Sequence, residues 1–234
     1  MKNLLRRLLL GAAVVFAGVC NTASSQSPVV IQQAYNETYH VVQVTVAENS
    51  YCSATAIGPF ALLTATHCEL GTDEIALQGK GGKPDVDLKI DGRIRDGYDH
   101  TILLISPTYL AGYKFTTFAA VDLLHKFDFG QDVFFIGNPR GFSELFRKGY
   151  VAGSATYTSA LGENVPEILI DINVGHGDSG AAIFDSNGAV IGVVAGIEVH
   201  GTADEGSQYK MPYALALNFT DGQIKEAVAY GTTK

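Results

Sequence analysis

The chain has no run of lysines or arginines, no basic stretch interleaved with aromatics, and few charges of any kind, 17% of its 234 residues. Nucleic acid is therefore not an expected partner, because a phosphate backbone calls for clustered cations. No His, Cys and Asp residues stand at metal-ligand spacing, and no phosphate loop follows a strand-to-helix pattern, so no metal and no cofactor is expected. A Gly-x-Ser-x-Gly elbow is also missing, which counts against the usual α/β-hydrolase arrangement. The apolar run Leu8 to Val19 stops at twelve residues, short of the ~20 that a membrane-spanning helix needs. No transmembrane anchor is expected.

That run follows Lys2, Arg6 and Arg7 and is followed by Asn21-Thr22-Ala23-Ser24-Ser25. Positive flank, short apolar core and small polar exit make residues 1–25 an expected export signal, with cleavage near Ala23–Ser25. Its removal leaves 13 cations against 24 anions, a net charge near −11, and a secreted or periplasmic protein. Lipid modification at Cys20 is the less favoured alternative, because Val19 stands where a small residue is wanted. Export also makes the cysteines readable. Of three in the chain, only Cys52 and Cys68 remain, and a lone pair in an oxidising compartment is expected to bond rather than stay as two thiols. A closed loop of this size stabilises by ~3 kcal/mol in the chain-entropy model.

Glycine is abundant (26 residues) and short β-rich runs recur between turn residues. Val41–Val46, Ser53–Ile57, Ala61–Thr64 and Thr101–Ile105 read as strands, with loops around one or two strands over 71–97. Pro107 opens a linker. Asp132–Ile136, Gly149–Gly153, Glu167–Ile172, Ala181–Phe184, Val190–Val199 and Met211–Leu217 read as a second set. Thr220 or Asp221 caps a final helix with Ile224, Ala227 and Val228 on one face.

Three local patterns carry chemistry. Gly175-His176-Gly177-Asp178-Ser179-Gly180 lifts one hydroxyl on a tight turn between glycines, which allow positive φ and close approach to backbone N–H groups. Thr64-Ala65-Thr66-His67-Cys68 and Asp99-His100-Thr101-Ile102-Leu103-Leu104 lie upstream. A serine hydroxyl needs an adjacent base to attack at neutral pH, and a histidine can take and return that proton. Each residue alone would read as a turn serine, a surface or core histidine, or a loop acid.

Together, in the order His, Asp, Ser, they resemble the trypsin/chymotrypsin superfamily of serine peptidases over most of residues 35–220. The segment Phe135-Ile136-Gly137-Asn138-Pro139-Arg140-Gly141-Phe142 and the run Gly188–Val193 resemble HtrA-like and other bacterial trypsin-like members. The cysteine pair and the aspartate of Gly-Asp-Ser-Gly are more similar to animal digestive members. The resemblance implies an all-β fold of two six-stranded antiparallel barrels, chymotrypsin-like, with a short C-terminal helix. Barrel one would occupy about 35–108, barrel two about 115–219 and the helix about 220–230, all within a peptidase domain 26–234. The 55 residues after Ser179 are needed by barrel two, so no PDZ domain is expected.

By the same resemblance Ser179 is the nucleophile, His67 the base and Asp99 the residue that orients it, with Asp96 as the fallback acid. Gly177 and Ser179 N–H groups would form the oxyanion hole. The disulfide Cys52–Cys68 would pin the loop that aims His67. Asp178 would need a donor; no Ile-Val-Gly-Gly-like start exists, since residues 28–31 are Pro-Val-Val-Ile, so zymogen activation is not expected. Substrate-pocket candidates are Asn173 and Val174 at the base and Val194, Ala195 and Gly196 on the wall, with the Met211–Tyr213 region. No acid lies at that base unless the register shifts to Asp171, so neutral substrate side chains are expected. His200 would either tune an acidic preference or be an ordinary loop-end histidine. The activity expected is hydrolysis of peptide bonds in a protein or peptide substrate; alternatives are an inactive binding protein of the same fold and an esterase using the same residues.

Overall fold

Apolar runs such as Ala61-Leu62-Leu63, Ile102–Ile105 and Val133–Ile136 are too continuous for strands with one wet face, and the computed structural model shows why. It describes residues 26–44, 49–68, 73–80, 85–109, 113–141, 144–158, 164–200 and 209–232. The expected export segment 1–25, with Cys20, lies outside the described residues. Strands β1 (Thr38–Val44), β2 (Asn49–Gly58), β3 (Ala61–Ala65), β4 (Glu74–Leu77), β5 (Val86–Arg95) and β6 (His100–Ile105) close into one barrel in the order β1-β2-β3-β6-β5-β4. A second barrel runs β10-β11-β12-β9-β8-β7. It is built from β7 (Asp132–Gly137), β8 (Leu145–Thr158), β9 (Asn164–Ile170), β10 (Ala182–Phe184), β11 (Val190–His200) and β12 (Tyr209–Ala216). Neighbouring strands in both are antiparallel, and closure removes the exposed edges that so many apolar strands would otherwise present. The all-β, two-barrel fold expected above is the fold observed.

Side-chain alternation sorts the core into three layers. Leu62, Leu103, Ile105, Ile75 and Leu88 fill the first barrel, and Val133, Phe135, Ile168, Ile170 and Ile183 fill the second. Between them, Leu63, Ala65, Ile102, Leu104, Phe134, Ile136 and Phe184 form a seam that joins the barrels. Strands β3, β6 and β7 thus bury both faces, one in a barrel and one in the seam. Polar alternation is lost in such strands, and the sequence reads as an unbroken apolar run.

Helix α2 (Asp221–Ala229) closes the chain with a capping box. Thr220 Oγ1 accepts from Gln223 N–H, and the Gln223 side chain accepts from Thr220 N–H at 2.8 Å. A second helix, α1 (Pro28–Glu37), was not expected. Ser27 caps it, Pro28 starts it, and Ala34 inserts into the seam. Only Ala34 and Glu37 of its side chains are fully buried, with Val30 and Tyr35 partly buried against the seam, so its apolar face is short. Among the described residues no helix is long and apolar enough to cross a membrane.

Candidate active site

The three polar residues singled out above lie where the two barrels meet. His67 follows β3 in a short 3-10 turn (Thr66–Cys68), and Asp99 occupies the bend just before β6. Because β3 and β6 pair directly, with Ala65 opposite His100, residues 32 apart in sequence become neighbours. Asp99 then holds the turn at three points. Its carbonyl accepts from Thr66 N–H (2.8 Å), Oδ1 from His67 N–H (2.9 Å), and Oδ2 contacts His67 Nδ1 at 2.5 Å. A carboxylate can only accept, so this contact places the ring proton on Nδ1 and leaves the Nε2 lone pair available to take another proton. The His67 side chain is 44% exposed, open enough for a substrate to reach it.

Asp96, the fallback acid, is committed elsewhere. Its side chain is fully buried against His100 Nδ1 and accepts from Tyr98 N–H (2.9 Å) and Asn218 N–H (3.0 Å). Asn218 Nδ2 also reaches the Asp96 carbonyl at 3.1 Å. This knot ties the bend carrying Asp99 to the segment after β12, so both barrels contribute to its placement.

Ser179 sits in the turn before β10, and every peptide carbonyl from 176 to 179 has a partner. His176 C=O accepts from Arg140 N–H (2.6 Å), Gly177 C=O from Ser53 Oγ (2.8 Å), Asp178 C=O from Ala181 N–H (2.9 Å), and Ser179 C=O from Ser53 N–H (2.8 Å). In a trans peptide the C=O and the following N–H point in opposite directions. Fixing the carbonyls of 176 and 178 therefore turns the N–H groups of Gly177 and Ser179 away from Arg140 and Ala181. Among the described residues neither N–H has an acceptor, which is the condition an oxyanion hole requires. Gly177 (φ +100°) and Gly180 (φ +84°) take the left-handed region here. A Cβ on either would strike backbone, the carbonyl of Asn138 at 177 and that of Ser53 at 180.

The donor that Asp178 needs is Arg147, which sequence reasoning missed. Asp178 is wholly buried; its Oδ2 accepts from Arg147 Nη1 at 2.5 Å and from Gly175 N–H at 2.7 Å. Arg147 lies on β8 opposite Phe135 of β7 and rests over that ring, 5.3 Å from its centre. Burial pushes the Asp178 carboxyl above its usual range, against the opposing pull of the Gly175 N–H and the Arg147 guanidinium. No local pattern around residue 147 marks it. The available signal was indirect: a Gly-Asp-Ser-Gly aspartate without an amino terminus to pair with must find a cation.

Cys52 on β2 and Cys68 beside His67 are joined, closing 16 residues of separation. Cys68 Sγ also lies 3.6 Å from the Ser179 carbonyl oxygen, so the bridge touches the loops of both His67 and Ser179. Reduction is expected to lower unfolding stability by about 3 kcal/mol and to reduce activity. Urea unfolding with and without a thiol reductant measures the first, and turnover in the same samples the second.

The pocket candidates are split by the structure. Asn173 is exposed, whereas Val174 and Val194 are buried in the second-barrel core, at 9% and 0% exposure. Gly196 is half-buried, and a Cβ there would meet the Tyr213 hydroxyl at 3.1 Å. Ala195, Val165 and Leu215 form a small buried cluster against which Tyr98 and Tyr213 pack. Asp171, the alternative pocket acid, is on the exposed surface and accepts from Tyr150 OH at 2.6 Å. The side chains of His200 and Met211 lie outside the described residues. Among the described residues no group of three or more His, Cys, Asp or Glu could hold a metal ion.

Comparison with known proteins follows the same residues. The model of the trypsin-like peptidase domain matches residues 52–193. A probable periplasmic serine endoprotease, DegP-like, from Marinomonas sp. (strain MWYL1) is 34% identical over 97 residues, 41% of this chain and 20% of that protein. A probable periplasmic serine protease, do/HhoA-like, from Haemophilus influenzae is 26% identical over 174 residues, 74% of this chain and 35% of that one. The chain thus spans between about a fifth and a third of these curated relatives. Among solved structures, the HtrA-type protease AlgW with tripeptide superposes with a TM-score of 0.63 at 20% identity. That match covers 86% of this chain and 63% of AlgW. The active form of the Rv3671c protease from M. tuberculosis gives 0.62 at 17% identity, covering 88% and 87%. At such identities these two establish the fold. The family match itself starts at Cys52 and runs past His67, Asp99, Arg147 and Ser179 into β11, and on that extent the chain belongs to the trypsin-like peptidase domain family.

Proposed function

We propose that this protein is a serine endopeptidase that hydrolyses peptide bonds through an acyl-enzyme, with Ser179 as nucleophile, His67 as base and then acid, and Asp99 as the group that orients His67. The observation that carries this reading is the double hold of Asp99 on His67, through the backbone N–H and through Nδ1. Nδ1 is thereby kept as the donor, so Nε2 is the nitrogen that takes the Ser179 proton as the hydroxyl attacks the scissile carbonyl. The imidazolium so formed is stabilised by the carboxylate and returns its proton to the leaving amine. Water then repeats the sequence on the ester and regenerates Ser179. Negative charge on the tetrahedral oxygen is met by the N–H groups of Gly177 and Ser179, a contribution of ~2.7–4 kcal/mol for one such donor.

Residues 1–25 serve as the export signal and 26–234 remain as the peptidase domain. Periplasmic location is supported by the DegP-like relatives, whose names carry it, and by the charge pattern of the first 25 residues. A fluorophosphonate probe should label the purified protein, and peptide mapping should find the adduct on Ser179. A folded, oxidised protein that takes no label, or takes it elsewhere, would overturn the assignment.

Substrates with neutral P1 side chains are favoured over Lys or Arg by at least about tenfold in kcat/KM, roughly 1.4 kcal/mol. Support comes from Asp171, whose carboxylate is bonded to Tyr150 on the surface, and from the exposed, uncharged Asn173 at the expected pocket base. A buried ammonium or guanidinium would lose its hydration with no anion to replace it. Cleavage of a diverse peptide library is the measurement, and a dominant Lys or Arg signal is the contrary result.

A further inference from the structure

We propose that the Ser53 hydroxyl is a positioning residue that holds the oxyanion loop in its working conformation; the inference rests on the peptidase reading above and assigns part of its machinery to a residue outside the His67, Asp99 and Ser179 set. Ser53 lies on β2 next to Cys52 and is completely buried. It grips the loop twice. Its N–H donates to Ser179 C=O at 2.8 Å and its Oγ to Gly177 C=O at 2.8 Å. The two peptides on either side of the Asp178–Ser179 link are therefore both referred to one residue of a barrel strand.

The direction of the hydroxyl proton is determined by its neighbours. Gly177 C=O can only accept, and Asn138 Nδ2, 3.1 Å from Ser53 Oγ, can only donate. Ser53 thus has one proton and it points at Gly177. Asn138 is itself fully buried, and its own carbonyl blocks any Cβ at 177. The next turn supplies Arg140 N–H to His176 C=O at 2.6 Å. The Gly177–Asp178 peptide is held at both ends, its C=O by the Ser53 hydroxyl at 2.8 Å and its N–H by Gly175 C=O at 3.0 Å, and the hydroxyl is the side-chain half of that hold. Without the hydroxyl, Gly177 C=O loses its partner and the peptide can rotate toward another donor, which carries the preceding Gly177 N–H out of line.

The mutant Ser53→Ala tests this in the full chain. It should lower kcat about 10–100-fold while KM changes less than about threefold, because a misaligned oxyanion hole weakens the transition state and not the bound substrate. Affinity for a peptide boronate, whose tetrahedral adduct carries the same charge, should fall by a similar factor. Ser53→Thr keeps the hydroxyl and should restore most of kcat. Amide hydrogen exchange in the 175–181 peptide should accelerate in Ser53→Ala, a readout independent of activity. If Ser53→Ala does not fold, Asn138→Asp takes its place. An acceptor at 138 competes for the one Ser53 proton and should produce the same loss of kcat with retained KM. Fluorophosphonate labelling of the parent protein separates the outcomes. A labelled parent whose Ser53→Ala form keeps kcat, boronate affinity and exchange rates overturns the Ser53 assignment alone. An unlabelled parent overturns the peptidase reading and this assignment with it.

Discussion

Ser179→Ala is expected to remove peptide hydrolysis while leaving the fold in place, with a loss on the order of 10⁶ in kcat. Structure predicts both halves of that result. The contacts that hold residue 179 are made by its backbone, through its carbonyl to Ser53 N–H, and by its neighbours, through Gly180 N–H to Val194 C=O at 3.0 Å. Alanine retains all of them, so stability should change by no more than about 0.5 kcal/mol, the range of substitutions that touch no buried partner. In the proposed mechanism Ser179 and His67 act on one proton, so adding His67→Ala to the serine mutant should cost little more. Initial rates on a peptide substrate, with urea unfolding of the same preparations, check the prediction. Peptidase activity near the parent level in the folded mutant would remove Ser179 from the mechanism.

Arg147→Met should be the most damaging change away from those three residues. A solvent-exposed ion pair contributes only about 0–1 kcal/mol, but here the aspartate has no exposure and the arginine side chain 17%. Breaking a buried pair by deleting one partner strands the other charge and costs about 3–5 kcal/mol. Met keeps much of the apolar length over Phe135, so the effect isolates the charge. The loss should depend on pH. Burial already holds the Asp178 carboxyl above its usual range with Arg147 present, and without the guanidinium it rises further. A carboxyl whose folded pKa lies above its unfolded value penalises the fold at pH above the folded value. The penalty fades as pH falls toward the unfolded one. The gap in stability between parent and mutant should therefore narrow on acidification. Activity should fall about 100-fold or more near neutral pH, because Asp178 sits between the two proposed oxyanion donors. Urea midpoints from pH 4 to 8 measure the stability gap; a gap that stays constant, or widens toward acid, contradicts the account.

Short β-branched runs, turn glycines, the capped last helix and the local settings of His67, Asp99 and Ser179 were all legible because each is written within a few adjacent residues. Periodicity, capping and turn chemistry act over such distances, so the sequence by itself determined the strand-rich architecture and named the residues to examine. Helix α1 escaped that reading because its apolar stripe, Val30, Ala34 and Tyr35, is short and only Ala34 of it is fully buried. What only the tertiary structure decided are the pairings between residues far apart in sequence. Arg147 meets Asp178 because β7 and β8 are in register at Phe135, and Ser53 meets Gly177 because β2 runs past the Ser179 turn, a separation of 124 residues. Asp99 rather than Asp96 reaches His67 because Asp96 is drawn into contact with the buried His100 ring and with Asn218 N–H. The pocket candidates were divided by the same cause. Val194 on β11 turns into the second-barrel core, and Asn173, in the loop after β9, is left exposed. Each of these outcomes depends on strand register, which is set by closing two barrels against one seam, and no local run of residues carries that information.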